Sequence, residues 1–515
     1  MSSTLSRRTF LKSIAATAGV SYLGLPRNGL AARARCVARI ERDIQTLDPA
    51  FRIGAEEGNI IRAVCQRLVS FKPDSLEYEP DAAADIKQTS ATLIEFTLKP
   101  GQMFQGGFGE MTADDVKFSF ERFITATQDG KESAYKGDWE ALDQVEVTGK
   151  YTGRIHLKQP APALWRIALA DVSGCILSRA ATEKLGTKIA TQVIGSGAYI
   201  MASWEPNQQV LLKANPDYQG PKPHFPEIVI KPIAELKTAE IAFRASELDF
   251  TKLDPSGVDA LRGAADTQIV ELPGMNYTWI GLNVEKAPFD NAKVREAVRL
   301  AIDIDAAVLA GYNGKVKRAN TMIQPQLLGH WADAPARARD VAAAQKLLAE
   351  AGLAAGFKCR LTVLNQAEFK AMGLVAQANL AEAGIQAELE VLDAGSYWSV
   401  GEGDNGKNLD MALQQFAAKM DPSFTSQWFV SDQVGVWNWQ RWRNPEYDRL
   451  HKLAASTLDE RARADAVIQM QKLMDESGAF IWLTYGANLF ATRQWLKPAV
   501  LPNGTDWQYR YFREV

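Results

Sequence analysis

The stretch Leu282–Asp305, LNVEKAPFDNAKVREAVRLAIDID, reads as a strand, a turn and a helix. Leu282 and Val284 alternate with polar neighbours, as a half-buried strand requires. Pro288 stops the strand, and the Asp290–Asn291 pair supplies a helix cap. From Lys293 the spacing becomes helical. Val294, Ala297, Val298, Ala301 and Ile302 fall on one face, while Lys293, Arg295, Glu296, Arg299 and Asp303 fall on the other and read as a solvated surface. The alternation continues downstream. A helix from Asp340 to Ala351 is stopped by Gly352, a strand follows at Leu361–Leu364, a helix through Leu374 and Leu380 ends at Gly384, and Ala387–Leu392 is again a strand. Strands alternating with helices predict an α/β sheet.

The chain has 515 residues, too many for one core, and predicts two to four domains. Hydrophobic residues make up 46% and charged residues 23%, the composition of a soluble globular protein, and a net charge of −3 excludes the basic excess of a nucleic-acid binder. The thirteen tryptophans are numerous enough to line a pocket as well as fill a core. Cys36, Cys65, Cys175 and Cys359 form neither a CxxC pair nor a zinc spacing. An oxidising compartment would allow one or two disulfides, with the pairing open; buried free thiols are the alternative.

The first 34 residues stand apart. Ser6-Arg7-Arg8-Thr9-Phe10-Leu11-Lys12 matches the twin-arginine export pattern, the apolar run Ile14–Leu25 is too short to span a bilayer, and Ala32-Arg33-Ala34 supplies a small-x-small cleavage site. A soluble, periplasmic mature chain is expected.

Further motifs follow in order: VARIERDIQTLDP (37–49), RLVSFKPDSLEYEP (67–80), MFQGGFGEMTADDVKFSFERF (103–123), VIGSGAY (193–199), NPDYQGPKP (215–223), SELDF (246–250) and NPEYD (444–448). Thr112 with Asp115 three residues on is a capping box, so the Asp114–Asp115 pair serves a helix start rather than acid–base chemistry. The glycines of GSGAY lack the lysine of a phosphate loop and read as a tight turn. Together with LNVEKAPFDNAKVREAVRLAID, this series closely resembles the dipeptide/oligopeptide-type (family 5) extracellular solute-binding proteins of ABC importers. The resemblance covers nearly the whole mature chain. It implies a two-lobed periplasmic-binding-protein clamp of type II with an additional inserted domain. Mapped onto this chain, lobe I takes 35–52, 186–275 and 485–515, the inserted domain 53–185, and lobe II 276–484. It also implies a monomer that closes on a peptide or small solute and docks on a permease–ATPase complex in the inner membrane, with no cofactor or metal.

The candidate site is the strand end and loop Gln414, Gln415, Phe416, Ala418, Lys419 and Asp421, followed by the aromatic block with Trp437, Asn438, Trp439 and Arg441. A strand running into a Pro-containing loop leaves unpaired backbone groups, tryptophans wall a pocket, and Asn438 and Arg441 offer polar anchors. The resemblance implies ligand contacts in this region, including an Asp three residues before an Asp/Glu-Pro pair that anchors a peptide's α-amino group. Here the pair is Asp421-Pro422 and the anchor position holds Ala418. Either Asp421 takes that role, or the ligand presents no free amino group there. Lys419 and Arg441 would suit a carboxylate or an opine-like conjugate. An exported enzyme is the competing class. His156, His224, His330 and His451 are scattered, and no HExxH, GxSxG or CxxCH motif occurs.

Overall fold

The computed structural model describes residues 33–128 and 130–515. The twin-arginine segment therefore lies, but for its last two residues, outside the described residues. The fold is α/β and two-lobed. A seven-stranded sheet runs Tyr199–Glu205, Gln209–Ala214, Glu227–Pro232, Arg35–Ile40, Phe250–Leu253, Ala487–Arg493, Thr267–Pro273 in spatial order. A five-stranded sheet runs Ile385–Leu392, Phe357–Leu364, Met411–Ala417, Asn276–Leu282, Phe480–Thr484. A smaller four-stranded sheet, Ala83–Ser90, Leu93–Leu98, Thr152–Leu157, Leu142–Val147, has its own apolar core around Phe96, Phe120, Trp139 and Ile155.

The chain passes between the two large sheets directly, from Thr267–Pro273 into Asn276–Leu282 and from Phe480–Thr484 into Ala487–Arg493. The two crossings touch: Gly274 N–H donates to the Gly486 carbonyl at 3.2 Å. A Cβ at residue 274 would lie 2.3 Å from the Tyr485 carbonyl oxygen, so only glycine fits.

Asn291 caps the helix Ala292–Ala301, its side chain accepting from Lys293 N–H at 2.9 Å. Val294, Ala297, Val298 and Ala301 are buried against Leu282, Leu361 and Leu413. The other face corrects the sequence reading. Arg299 is only 9% exposed; it pairs with Glu296 and with Asp475 at 2.8 Å, while Arg295 donates to the Ser477 carbonyl at 2.7 Å. Both cations therefore sit at the C-terminus of the long helix Glu460–Ser477, where the free carbonyls and the negative end of the dipole favour positive charge. The helix also ends earlier than its pattern: Asp303 caps a second helix, Ile304–Tyr312. Thr112 and Asp115 form the expected capping box of Ala113–Thr125. The GSGAY turn packs on backbone rather than on an anion site, with Gly197 N–H donating to the Val64 carbonyl at 2.7 Å.

Candidate functional site

The strand Met411–Ala417 is central in the five-stranded sheet, but its two edges differ. It pairs with Asn276–Leu282 along its whole length, from Leu282↔Met411 to Asn276↔Ala417. Its pairing with Phe357–Leu364 stops at Val363↔Leu413. The end from Gln414 onward therefore runs past its neighbour, where an α/β sheet opens a crevice at its strand ends.

That crevice is aromatic. Trp398, Gln415, Phe416, Ala417, Phe424, Trp428 and Trp437 line a cavity of about 500 Å³. Phe416 stands nearly perpendicular to Trp437, with ring centroids 5.8 Å apart, and Trp428 lies 6.0 Å from Trp437. All five rings are half-buried, so each keeps a face for a guest. Phe424 and Trp428 also line a second cavity of about 410 Å³, which Gly137, Asp138, Pro160 and Leu164 of the small-sheet region line as well. Asp138, Ile167 and Lys419 lead on to a third, of about 160 Å³, floored by Arg52, Tyr135, Asp171 and Asp506.

The third cavity is charged and balanced. Lys419 reaches across to Asp138 at 2.7 Å, and buried Asp138 also accepts from Ser173 Oγ at 2.8 Å. Arg62 holds Asp171 at 2.5 Å and Asp506 at 2.9 Å. Burial alone would push the Asp171 carboxyl up, but Arg62 and Arg52 outweigh it and hold it below the usual range. Arg52 stacks on the Tyr135 ring at 3.4 Å and donates to the Pro49 carbonyl and Ser173 Oγ. Burial pushes the Tyr135 phenol up, so it stays a neutral donor at the cavity wall.

The residues expected from sequence divide. Gln415, Phe416 and Trp437 share the aromatic cavity, and Ala418 and Lys419 line the charged one. Asp421 lies at the rim of the middle cavity but is wholly buried. Its oxygens take Arg463 Nη2 at 2.8 and 2.7 Å, and Oδ1 also accepts from Ser423 N–H as the cap of Pro422–Ser426. Its carboxylate is thus engaged by Arg463 and by the cap. Gln414 is buried against Gln440. Asn438 ties the Phe429 and Trp442 carbonyls together, at 3.1 and 2.8 Å. Trp439 packs beside Tyr397 in the core, and Arg441 pairs with Glu285 at 2.5 Å. None of these four lines the three cavities. Trp428 belongs to the aromatic block that the sequence marks, whereas Trp398, Phe424 and Asp138 were missed as wall residues.

The pattern of the bacterial extracellular solute-binding proteins, family 5 (middle region), matches residues 77–456. The chain belongs to this family. As a family 5 solute-binding protein it is the substrate-binding component of an ABC importer. The probable D,D-dipeptide-binding periplasmic protein DdpA of Escherichia coli K12 is 29% identical over 458 residues, covering 86% of each chain. Among solved structures, HbpA2 from Haemophilus parasuis superposes with a TM-score of 0.86 at 22% identity, over 93% of this chain and 99% of that one. MoaA of A. tumefaciens R10, solved with mannopinic acid, gives a TM-score of 0.67 at 24% identity, over 94% of this chain and 100% of that one. Both structural likenesses speak for the fold. Among the described residues no helix is long and apolar enough to cross a membrane.

Proposed function

We propose that this protein captures peptides or related amino-acid-derived solutes in the crevice between the five-stranded sheet and the small-sheet region, and delivers them unchanged to a membrane permease and its ATPase. The observation that supports this is an aromatic cavity and a charge-balanced one linked by shared wall residues: an apolar side chain suits the first, and a zwitterionic backbone suits the second. The lobes at 35–52, 186–275 and 485–515 and at 276–484 close on the solute by bending at the paired crossings near Gly274 and Gly486, with the segment 53–185 forming the outer wall. The protein acts as a monomer in the periplasm after twin-arginine export, and without turnover.

A second reading has its own observation. Ala418 stands where the resemblance implies an ammonium anchor, Asp421 is paired with Arg463, and Lys419 lines the charged cavity, paired with Asp138. An acidic conjugate of an amino acid, of the kind bound in the MoaA structure, would meet Lys419 without needing that anchor. Calorimetric titration with free-amino peptides, their N-acetylated forms and acidic amino-acid conjugates separates the two. Tight binding of free-amino peptides, lost on acetylation, favours the first reading. Indifference to acetylation, or stronger binding of the conjugate, favours the second.

A further inference from the structure

We infer that Cys65 and Cys175 are a disulfide site, one bond closing the neck of the small-sheet region. The inference goes beyond solute binding and rests on the family assignment only for an extracellular, non-reducing setting. Cys65 directly follows the helix Ala55–Val64, and Cys175 follows the turn Val172–Gly174. The two segments run antiparallel: Arg67 is the bridge partner of Cys175, and Ile176 N–H donates to the Gln66 carbonyl at 2.9 Å. Side chains two residues apart on extended chain share a face, so Cys65 and Cys175 are diagonal neighbours on one side of this pair. Each is 1% exposed, in one apolar core with Val64, Val172 and Leu177. Cys36 belongs to the same apolar core but sits on the seven-stranded sheet near Asp249, and Cys359 lies in the core of the five-stranded sheet near Asp410.

The local charges favour the chemistry. Arg67 Nη1 lies 3.9 Å from Cys175 Sγ. Burial works against ionising Cys175, yet its hydrogen bond with Cys65 and the Arg67 guanidinium bring its thiol down. Cys65 is pushed well up by that same hydrogen bond and by burial, so it remains the protonated partner. A more acidic thiol beside a less acidic one favours disulfide exchange. During folding, before the core closes over the two sulfurs, Cys175 attacks one sulfur of an oxidised donor, glutathione disulfide or an oxidised dithiol protein, and displaces its first thiol. Cys65 then gives up its proton, attacks the Cys175 sulfur and releases the second. The two cysteines lose two electrons and two protons, and the donor gains them as two thiols. The closed loop contains Tyr135, Asp138 and Pro160–Leu164, so the bond fixes where the outer wall of the crevice is rooted.

The test uses the full natural chain. It is unfolded with reductant, refolded in a reduced/oxidised glutathione buffer, denatured, alkylated, and mapped as peptides without reduction. The expected map shows alkylated Cys36 and Cys359 and one cross-linked peptide joining Cys65 to Cys175. Reduction then lowers the thermal midpoint of the refolded protein, and Cys175→Ser leaves Cys65 alkylated. Four alkylated cysteines, or a cross-link through Cys36 or Cys359, would overturn the inference. The map needs no ligand, so a failure of solute binding leaves its result standing.

Discussion

Replacing Asp421 with alanine separates a structural role from a ligand role. Asp421 is 0% exposed and Arg463 1%, and both carboxylate oxygens bond one guanidinium nitrogen. Without Asp421 the buried guanidinium keeps the Ala454 carbonyl, 2.8 Å from Nε, and no carboxylate. Breaking such a pair from one side costs about 3–5 kcal/mol. The lost cap to Ser423 N–H adds about 1 kcal/mol. Asp421→Ala should therefore lose about 4 kcal/mol or more of unfolding free energy. Asp421→Asn keeps the cap oxygen and should lose less. Adding Arg463→Met to Asp421→Ala should recover a large part, because both buried charges are then gone. Urea unfolding followed by tryptophan fluorescence reads the stability, and calorimetric titration of the folded variants reads ligand affinity. Stability within about 1 kcal/mol of the natural protein, together with loss of ligand binding, would refute the structural assignment and restore Asp421 as a ligand anchor.

Trp428→Ala and Trp437→Ala each remove a wall of the aromatic cavity and should weaken binding of a solute with an aromatic or large apolar group by about 10- to 100-fold; unchanged affinity in titration calorimetry would count against the cavity as the binding site. Gly274→Ala forces a Cβ onto the Tyr485 carbonyl and should cost about 2 kcal/mol, with a smaller ligand-induced decrease in radius of gyration by X-ray scattering; full compaction with no loss of stability would exclude the crossing as the hinge. His451, bonded to Ser426 Oγ at 2.8 Å, has its pKa lowered by burial. Its contribution is complete above the unfolded value of about 6.5 and is lost as pH falls from there towards the lower folded value, so His451→Gln should flatten the pH dependence of the thermal midpoint over that window.

Elements with a strong period and an explicit cap were legible in the sequence. Thr112 and the Asp290–Asn291 pair were readable as caps, and the helices Ala113–Thr125 and Ala292–Ala301 start there; the helix read from Asp340 is Val341–Glu350, capped by Asp340. The strand Met411–Ala417 was legible for the same local reason, as was the tryptophan block beyond it, but not Trp398 or Phe424. What was not legible depends on partners far along the chain. Arg299 looks solvated by helical position, and only Asp475 makes it buried. Asp421 looks available beside Pro422, and only Arg463 shows that it is not. Trp439 and Trp437 are two residues apart and indistinguishable by type, yet one fills the core and the other faces the cavity, because the Val434–Asn438 bridge turns the chain between them. Asp138 enters the crevice solely because the small sheet carries it opposite Lys419.

Capture of a solute in the aromatic-to-charged crevice is best tested by native mass spectrometry of the protein mixed with defined pools of free-amino peptides, N-acetylated peptides and acidic amino-acid conjugates. The expected spectrum shows a one-to-one complex whose ligand leaves with its mass unchanged, and which the Trp428→Ala/Trp437→Ala double variant no longer forms. A released ligand of altered mass, or a double variant that retains the same ligand as strongly as the natural protein, would contradict capture in this crevice.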